Sequence, residues 1–385
     1  MIRRYVVPGR VELVGKHVDY AGGRSLTCAT EAAIHLSAEP LADPVIRVRD
    51  ARLRTVVTVP LAANATWAGA RWGVYVLAVA RRIARDFPRA RRGVEIVLRS
   101  ELPSSAGLSS SSALVVAIAQ ALADANDLEG DAAWRAAVPT AVARAEYFAA
   151  METGAAFGDF AGDGGVGVRG GAQDPVAIVC AREGEVGQFR YLPPRIERFV
   201  RWPDEYALAI AVSGVHAAKR GNARDAYHRL SDAMRVFAGS GMPTAPPPEL
   251  LERVAQFHEE TDLIVPGVAD ALQGRDFAAV GRLVDRSQAL AERVLGNQVP
   301  ETIRLARLAR AHGALAASAF GAGFGGAVWA MIPREGADTF VASWREGYLH
   351  DFPERHLRAR WLVTRPAAPA RQLESHDTGS GEPSP

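Results

Sequence analysis

Eleven residues form the most informative stretch of this sequence: Pro103-Ser104-Ser105-Ala106-Gly107-Leu108-Ser109-Ser110-Ser111-Ser112-Ala113. They follow an alternating strand pattern at Val94–Leu98 and precede an alanine-rich helix pattern at about 110–125. Small side chains let backbone amides approach a ligand, and a helix start adds free N–H groups and a positive dipole end. The stretch therefore predicts a phosphate site with hydroxyls in reach of magnesium, or else an ordinary serine cap. It is not a Walker loop, because no Gly-Lys-Ser/Thr follows Gly107.

A second glycine cluster, Gly321–Gly326, has the spacing G-x-G-x-x-G that is typical of dinucleotide-binding loops. That interpretation requires a strand before the glycines and a helix after them. Here a helix-like, alanine-rich segment precedes the cluster and an apolar strand, Ala327–Ile332, follows it. The pattern instead predicts a tight turn whose backbone approaches either a neighbouring helix or a ligand.

A third cluster lies near the N-terminus, at Gly9–Gly23. A strand containing Val11 and Leu13 ends at Gly15, and the polar residues Lys16, His17, Asp19 and Tyr20 follow in a turn closed by Gly22 and Gly23. This arrangement indicates a ligand-binding turn, although a solvated turn of no special function has the same composition.

Composition excludes several classes of protein. The 45 basic and 43 acidic residues give a net charge of +2, and the basic residues are dispersed, which disfavours a nucleic-acid surface. Two cysteines, Cys28 and Cys180, are too few for a disulfide framework or a metal cluster. The N-terminal apolar run is too short for a signal sequence, and no apolar run is long enough for a membrane span. We therefore expect a cytoplasmic protein that contacts neither nucleic acid nor membrane.

The order of strand and helix patterns gives the expected architecture. A length of 385 residues favours two domains, and strands interspersed with helices without a regular βαβ rhythm predict an α+β fold. A helix pattern is expected at about 132–151. Residues 366–385 contain almost nothing apolar and predict a disordered tail.

The three clusters together resemble the signature motifs of the GHMP small-molecule kinases, and the N-terminal cluster, Gly9–Gly23, is similar to that of the galactokinases. Galactokinases read close to G-R-V-N-L-I-G-E-H-T-D-Y-N-G-G, which Gly9–Gly23 matches in length. The motif P-x-x-x-G-L-S-S-S-A is similar to Pro103–Ser112, and G-x-G-F-G-G is similar to Gly321–Gly326. Between them, Trp72–Val76 resembles the family's W-x-N-Y-V helix and Ala145–Phe148 its A-E-H-x-F segment.

The resemblance implies roles for residues around the phosphate loop. The loop Pro103–Ser111 would hold the ATP phosphates, and Ser111 and Glu146 would hold Mg²⁺, whose preferred ligands are oxygens. The general base would be Asp174, which keeps a G-x-x-D spacing. Asp159 and Asp163 are the alternative candidates. They lie in the loop 153–173, called the inserted loop because the interval from Glu146 to Asp174 is longer than in the family. Arg10 would support the base and the transferring phosphoryl group.

The resemblance also implies which residues contact the sugar. These are Lys16, His17, Asp19, Gly171 and Tyr227. The helix segment around Asn222 keeps the family's N-x-R but has Gly221 where a tyrosine belongs, so Tyr227 is the stand-in.

The expected activity is that of an ATP-dependent sugar kinase in which a free monosaccharide becomes the sugar 1-phosphate. The resemblance implies two α+β domains, about 1–200 and 201–365, with the active site in the cleft between them. No obligate protein partner is implied. The alternatives are a GHMP kinase with a non-sugar substrate and a non-catalytic sensor of sugar and ATP.

Lys16 replaces the glutamate of the galactokinase motif. Because that glutamate lies near the sugar C6 hydroxyl in galactokinases, a lysine there would match a carboxylate, and the sequence raises the hypothesis of a uronic acid substrate. A Lys16 that faces solvent, pairs with Asp19 or reaches the ATP phosphates is the alternative.

Overall fold

The computed structural model describes residues 1–103, 106–167, 170–215, 222–241 and 246–374, without the side chains of 222–228 and 230. The chain forms two α+β parts, each built on its own sheet.

The larger sheet is mostly antiparallel and comes from the first half of the chain. Its strands are β1 (Arg3–Val14), β2 (Arg24–Leu41), β3 (Val45–Asp50), β4 (Thr55–Pro60), β5 (Gly93–Ser100), β6 (Glu185–Arg190) and β7 (Arg195–Arg201). The spatial order is β1-β2-β5-β3-β4. β6 pairs with the first four residues of β2, Arg24–Thr27, and with β7. β3 and β5 pair in parallel.

Five helices accompany this sheet: α1 (Gly73–Asp86), α2 (Ser110–Ala125), α3 (Ala132–Ala137), α4 (Ala141–Thr153) and α5 (Gln173–Val179). α1, α2 and α5 contact its strands, and α4 packs against these three helices. α2 is the central one, and its small and branched residues are buried on most sides. The single helix expected at about 132–151 is wrong, because Pro139 interrupts it and Thr140 caps a new helix by accepting a hydrogen bond from the Ala143 N–H at 3.1 Å.

The second half of the chain carries more helix than strand. Its helices are α6 (Asn222–Gly239), α7 (Leu251–His258), α8 (Val265–Gln273), α9 (Phe277–Leu290), α10 (Pro300–Ala311) and α11 (Ala337–Asp351). Its sheet runs in the order β11-β8-β10-β9, with β8 (Tyr206–Val212), β9 (Ala316–Phe320), β10 (Ala327–Pro333) and β11 (Arg360–Thr364). Alanines on one face of this sheet, such as Ala209 and Ala317, let α10 and α11 pack closely.

The predicted disordered tail begins too early. After β11 the chain returns to the larger sheet, where a short strand, β12 (Arg371–Leu373), pairs with the start of β1. The Ala367 N–H donates to the Ala29 carbonyl at 3.0 Å, and the Ala370 N–H donates to the Ile178 carbonyl at 2.9 Å. Backbone pairing therefore orders 366–374, a segment whose side chains gave no signal. Residues 375–385 lie outside the described part of the chain.

The two parts share one apolar core. Leu208, Ile210 and Trp329 of the second sheet belong to the same buried cluster as Leu13 of β1. The Trp329 indole N–H donates to the Leu13 carbonyl at 3.2 Å. This contact fixes the second sheet against β1, next to the cleft in which the polar residues of the three motifs meet.

Candidate active site

Two adjoining cavities lie in the cleft. The first, of about 740 Å³, is lined by residues of β1, the turn after it, the ends of α2, α4 and α5, α6 and the glycine loop between β9 and β10. The second, of about 770 Å³, is lined by Trp72, Tyr75, Pro103 and Ser110 among others. Ser111 lines both cavities, so a group held in one lies beside a group held in the other.

A buried ion pair lies in the first cavity. Arg10 Nε donates to Asp174 Oδ1 at 2.7 Å, and Arg10 also donates to the Gly107 carbonyl. Arg10 is almost fully buried, whereas the Asp174 side chain is 31% exposed. Asp174 lies in the first turn of α5, and it comes next to Arg10 because α5 packs against β1. The pair presents a carboxylate to the cavity and a permanent positive charge behind it.

The start of α2 offers free hydrogen-bonding groups. Ser109 takes a left-handed backbone conformation, so its side chain does not cap the helix, and its buried Oγ has no partner among the described residues. The helix therefore begins with uncapped N–H groups beside an unpartnered hydroxyl, an arrangement that suits the oxygens of an anion.

The two glycine motifs contact each other through their backbones. A Cβ on Gly321 would lie 3.1 Å from the Gly107 Cα, and both glycines have positive φ angles. Gly323 approaches Asn297 in the same way. The cluster is the turn of a hairpin between β9 and β10, so the helix expected before it is wrong. Its rejection as a dinucleotide-binding loop stands, because a strand follows the glycines.

Glu152 is the second carboxylate at the bottom of the cavity. It is the penultimate residue of α4, and its Oε2 accepts a hydrogen bond from Ser112 Oγ at 2.6 Å. Burial raises the pKa of Glu152 to about 7, and the neighbouring Asp174 adds to the rise, whereas hydrogen bonds from Ser112 and Ser111 oppose it. A buried carboxylate with two hydroxyls beside it is a hard oxygen site that a cation would stabilise.

His17 lines the cavity and also joins the two halves of the chain. Its backbone φ angle is positive, and its Nε2 lies 2.9 Å from the Asn297 side-chain amide nitrogen, which donates to it. Burial lowers the pKa of His17 to about 3, and the nearby Arg253 and Lys16 lower it further. The imidazole is therefore neutral at physiological pH and fixed by a residue of the second half.

Asp19 and Gly171 lie in contact at the cavity wall. A Cβ on Gly171 would come 2.2 Å from Asp19 Oδ2, so only glycine permits this approach. Burial raises the pKa of Asp19, and the neighbouring Asp174 carboxylate raises it as well. Backbone N–H groups of Tyr20 and Gln173 oppose that rise, since hydrogen bonds to a carboxylate favour its charged form.

Comparison with known families matches three regions of the chain. Residues 74–161 match the GHMP kinase N-terminal domain, residues 268–350 match the GHMP kinase C-terminal domain, and residues 3–40 match the galactokinase galactose-binding signature. The chain belongs to the GHMP kinase family. The N-terminal match covers α1, α2 and α4 of this GHMP kinase, and the signature match covers β1 and the turn that carries His17 and Asp19.

Relatives of this GHMP kinase are similar over most of their length. The galactokinase of Chloroflexus aggregans is 27% identical over 362 residues, which are 89% of this chain and 86% of that protein. A galactokinase of Actinobacillus pleuropneumoniae is 25% identical over 351 residues, 85% of this chain and 84% of that one. The crystal structure of Lactococcus lactis galactokinase complexed with galactose superposes with a TM-score of 0.78 at 17% identity, over 97% of this chain and 95% of that chain. Mevalonate kinase of L. major superposes with a TM-score of 0.61 at 16% identity, over 95% and 96%.

These matches confirm the expected family, the α+β fold class and the assignment as an ATP-dependent phosphotransferase acting on a hydroxyl. No helix in the described ranges has the length and apolar character needed to cross a bilayer. Within the same ranges, no three or more His, Cys, Asp or Glu side chains lie close enough together to hold a metal ion by themselves. The expectations about location, nucleic acid and protein partners stay predictions.

The structure brings most of the predicted site residues together. Arg10, His17, Asp19, Ser111, Gly171 and Asp174 all line the first cavity, and Pro103, Ser110 and Ser111 line the second. Asp159 and Asp163 line neither, and Asp163 lies 3.5 Å from Arg85 instead. Ser104 and Ser105 lie outside the described residues, as does the Tyr227 side chain.

The expected metal ligand Glu146 is not brought to the site. It does not line either cavity, whereas Glu152, six residues later on α4, does. Six residues advance a helix by about 600°, which leaves the two side chains about 120° apart on the helix surface. One helix therefore presents only one of these carboxylates to Ser111 and Ser112. The motif pointed to the first one, and nothing local in the sequence distinguishes the second.

The expected sugar contact of Lys16 is also not made. The Lys16 side chain is 2% exposed, does not line the first cavity, and donates from Nζ to Ser287 Oγ at 2.8 Å. Ser287 Oγ in turn donates to Glu260, which also accepts from the Gly15 N–H at 2.9 Å. Burial lowers the pKa of Lys16, and Glu260 opposes the fall. The lysine thus holds the turn against α9, and the uronic acid hypothesis loses its basis.

We expect Lys16→Met to lower the free energy of unfolding by about 3 kcal/mol, because it leaves the carboxylate of Glu260 buried without a cation. Chemical denaturation measures this change. The double variant Lys16→Met/Glu260→Gln removes both charges and should recover part of the loss. Preference among neutral and acidic sugars should not change in the folded variant. A switch away from acidic sugars would show that Lys16 does read the substrate.

Arg253 of α7 holds the turn that carries His17 and Asp19. It is buried, donates to the His17 carbonyl, and donates to Tyr20 Oη at 2.8 Å. Sequence analysis missed this residue, because an arginine in an amphipathic helix has no local signal for a partner more than two hundred positions away.

We expect Arg253→Met to raise the KM for the acceptor about tenfold, because the turn loses two hydrogen bonds from a charged donor. The KM for ATP should change much less. Steady-state kinetics with each substrate varied in turn measures both. The control is Arg286→Met, since Arg286 pairs with Glu259 on the surface. Equal effects of the two substitutions would contradict a role for Arg253 at the turn.

Proposed function

We propose that this GHMP kinase transfers the γ-phosphoryl group of ATP to a free monosaccharide, galactose or a close relative, at the anomeric hydroxyl to give the sugar 1-phosphate. The observation that supports this most is the pair of cavities that meet at Ser111, beside the Arg10–Asp174 ion pair. A transfer between two bound substrates needs two such sites that share one wall.

Asp174 is the proposed general base. Its carboxylate is partly exposed to the sugar cavity and is held by Arg10 at 2.7 Å. It accepts the proton of the attacking hydroxyl, while Arg10 and the free N–H groups of α2 stabilise negative charge on the phosphoryl group. Arg10 also contacts the Gly107 carbonyl, so the same guanidinium ties the base to the phosphate loop.

Mg²⁺ fits the residues where the start of α2 meets the end of α4. Glu152 and Ser111 would hold it together with phosphate oxygens and water, in place of the Glu146 and Ser111 set expected from the sequence. The position of Glu152 supports this, because its buried carboxylate accepts from Ser112 Oγ and lies near Asp174, so that a cation would offset two neighbouring negative charges. When bound, the ion would neutralise charge on the β- and γ-phosphates.

The sugar is proposed to lie in the first cavity against His17, Asp19 and Gly171. The neutral imidazole and the carboxylate offer hydrogen bonds to hydroxyls, and the galactose-binding signature covers the turn that carries them. The nucleotide base is proposed to lie in the second cavity, where Trp72 and Tyr75 offer aromatic surfaces.

ATP-dependent turnover across a panel of aldoses, uronic acids, mevalonate and homoserine tests the proposal. We expect turnover of a neutral aldohexose, with phosphate at the anomeric position in the ³¹P NMR spectrum of the product. Turnover of mevalonate or homoserine alone would place the enzyme with another GHMP activity. Tight binding of sugar and ATP without any product would identify a sensor.

A further inference from the structure

Glu12 is a buried carboxylate in the first cavity for which the sequence analysis proposed no role. It lies on β1 two residues after Arg10, so the two side chains project from the same face of the strand, toward the cleft. It is only 4% exposed and yet lines the first cavity. A carboxylate in this position either has internal partners for both oxygens or faces a ligand.

Among the described residues, one of its two oxygens has a partner and the other has none. Glu12 Oε2 accepts a hydrogen bond from the Gln173 side-chain amide, next to Asp174 on α5. Glu12 Oε1 is buried and has no hydrogen-bond partner among the described residues. Burial raises the pKa of Glu12 to about 7, although Arg10 and Lys16 lower it. Buried acceptors in folded proteins are nearly always satisfied, so a donor for this oxygen is missing among the described residues.

The neighbouring cations do not supply that donor. Arg10 directs its hydrogen bonds to Asp174 and Gly107, and Lys16 directs its own to Ser287. Both charges nevertheless lie close enough to act on Glu12 electrostatically. A second cation from a ligand would be repelled by these two charges, and a ligand carboxylate would meet the negative Glu12 oxygen. A neutral hydroxyl is the donor that satisfies this position.

We propose that Glu12 is a substrate-binding residue of this kinase, whose Oε1 accepts a hydrogen bond from one hydroxyl of the bound sugar. The inference rests on the proposed sugar kinase activity and adds to it a determinant of which sugars fit. It requires a hydroxyl at one ring position, and it disfavours both an amino group and a carboxylate there.

The test is the substitution Glu12→Gln with substrate kinetics and a series of monodeoxy sugars. Because Gln173 donates to one side of residue 12, the glutamine will turn its carbonyl toward Gln173 and its NH₂ toward the cavity. We expect the KM for the sugar to rise roughly 10- to 100-fold, the loss expected for a hydrogen bond to a charged acceptor. The kcat and the KM for ATP should stay within about threefold.

The deoxy series identifies the hydroxyl. With the wild type, one monodeoxy sugar should have a KM raised as much as Glu12→Gln raises the KM for the parent sugar. With Glu12→Gln, removing that same hydroxyl should raise the KM no further. The control is Glu301→Gln, which changes another buried glutamate, paired with Arg355 at 2.6 Å outside both cavities, and should leave both KM values unchanged. Thermal unfolding of each variant accompanies the kinetics. If Glu12→Gln does not fold, Glu12→Asp, which keeps the charge and withdraws the oxygen, should raise the same KM.

Three results would overturn the inference, each for a separate reason. An active wild type whose sugar KM is unchanged by Glu12→Gln and Glu12→Asp shows that Glu12 does not contact the substrate. A fall in kcat at constant KM shows that Glu12 acts through Gln173 on Asp174 instead. A wild type that phosphorylates no monosaccharide overturns the proposed function itself, and this inference with it.

Discussion

Asp174→Asn should lower kcat roughly 10²–10⁴-fold while the protein stays folded and still binds ATP and sugar. Asparagine is nearly isosteric and its carbonyl can still accept from Arg10, so the geometry of the ion pair survives while the basic oxygen is lost. Single-turnover measurement of phosphoryl transfer checks kcat, and calorimetric titration with sugar checks binding.

Two matched variants make this result specific. Asp159→Asn and Asp163→Asn change the acidic residues of the inserted loop, and neither residue lines the cavities. Both variants should retain near-normal kcat. Collapse of activity in either of them, together with normal turnover in Asp174→Asn, would move the base into that loop.

Glu152→Gln should lower kcat roughly 10²–10³-fold and raise the Mg²⁺ concentration needed for half-maximal activity, while sugar binding changes little. Glutamine keeps an oxygen that can accept from Ser112, so the end of α4 should remain in place. The substitution removes a carboxylate that lies beside both Ser111 and Ser112. A magnesium titration of initial rates measures the effect.

Glu146→Gln is the matched control on the same helix. It alters a half-buried glutamate that lies six residues earlier and faces away from the cavities, so its magnesium dependence should equal that of the wild type. The reverse pattern, with Glu146→Gln impaired and Glu152→Gln normal, would restore the assignment that the sequence motif suggests. If neither variant changes the magnesium dependence, the cation is held by other groups.

The sequence motifs were sufficient for the family and the fold class, and they included many of the residues that line the two cavities. Two motifs whose backbone structure depends on neighbouring residues lie where the sequence predicts them. The phosphate loop precedes α2, and the polar turn follows β1. Asp174 lies beside Arg10, as the family resemblance implied, and its role as the base stays a prediction.

The predictions for the Lys16 side chain and for residues 366–374 were wrong, because both depend on contacts between distant segments of the chain. Lys16 belongs to a motif that faces the cavity, but its ammonium turns to Ser287 because Glu260 of a distant helix supplies a compensating charge. The strand β12 forms only because the edge of β1 is available to it. Neither of these partners can be predicted from the residues that neighbour Lys16 or β12 in the sequence.

The amino-acid sequence thus determined which residue types enter the cleft, since alternation along β1 and the helix start at α2 are local consequences of backbone geometry. The packed structure was needed to show which of two glutamates on α4 meets Ser112, and that Glu12, which lines the first cavity, has one oxygen without a partner among the described residues. The reason is that burial and hydrogen-bond satisfaction depend on what other segments place around a side chain. The burial of a side chain and its hydrogen-bond partners are therefore set only when the two sheets have packed together.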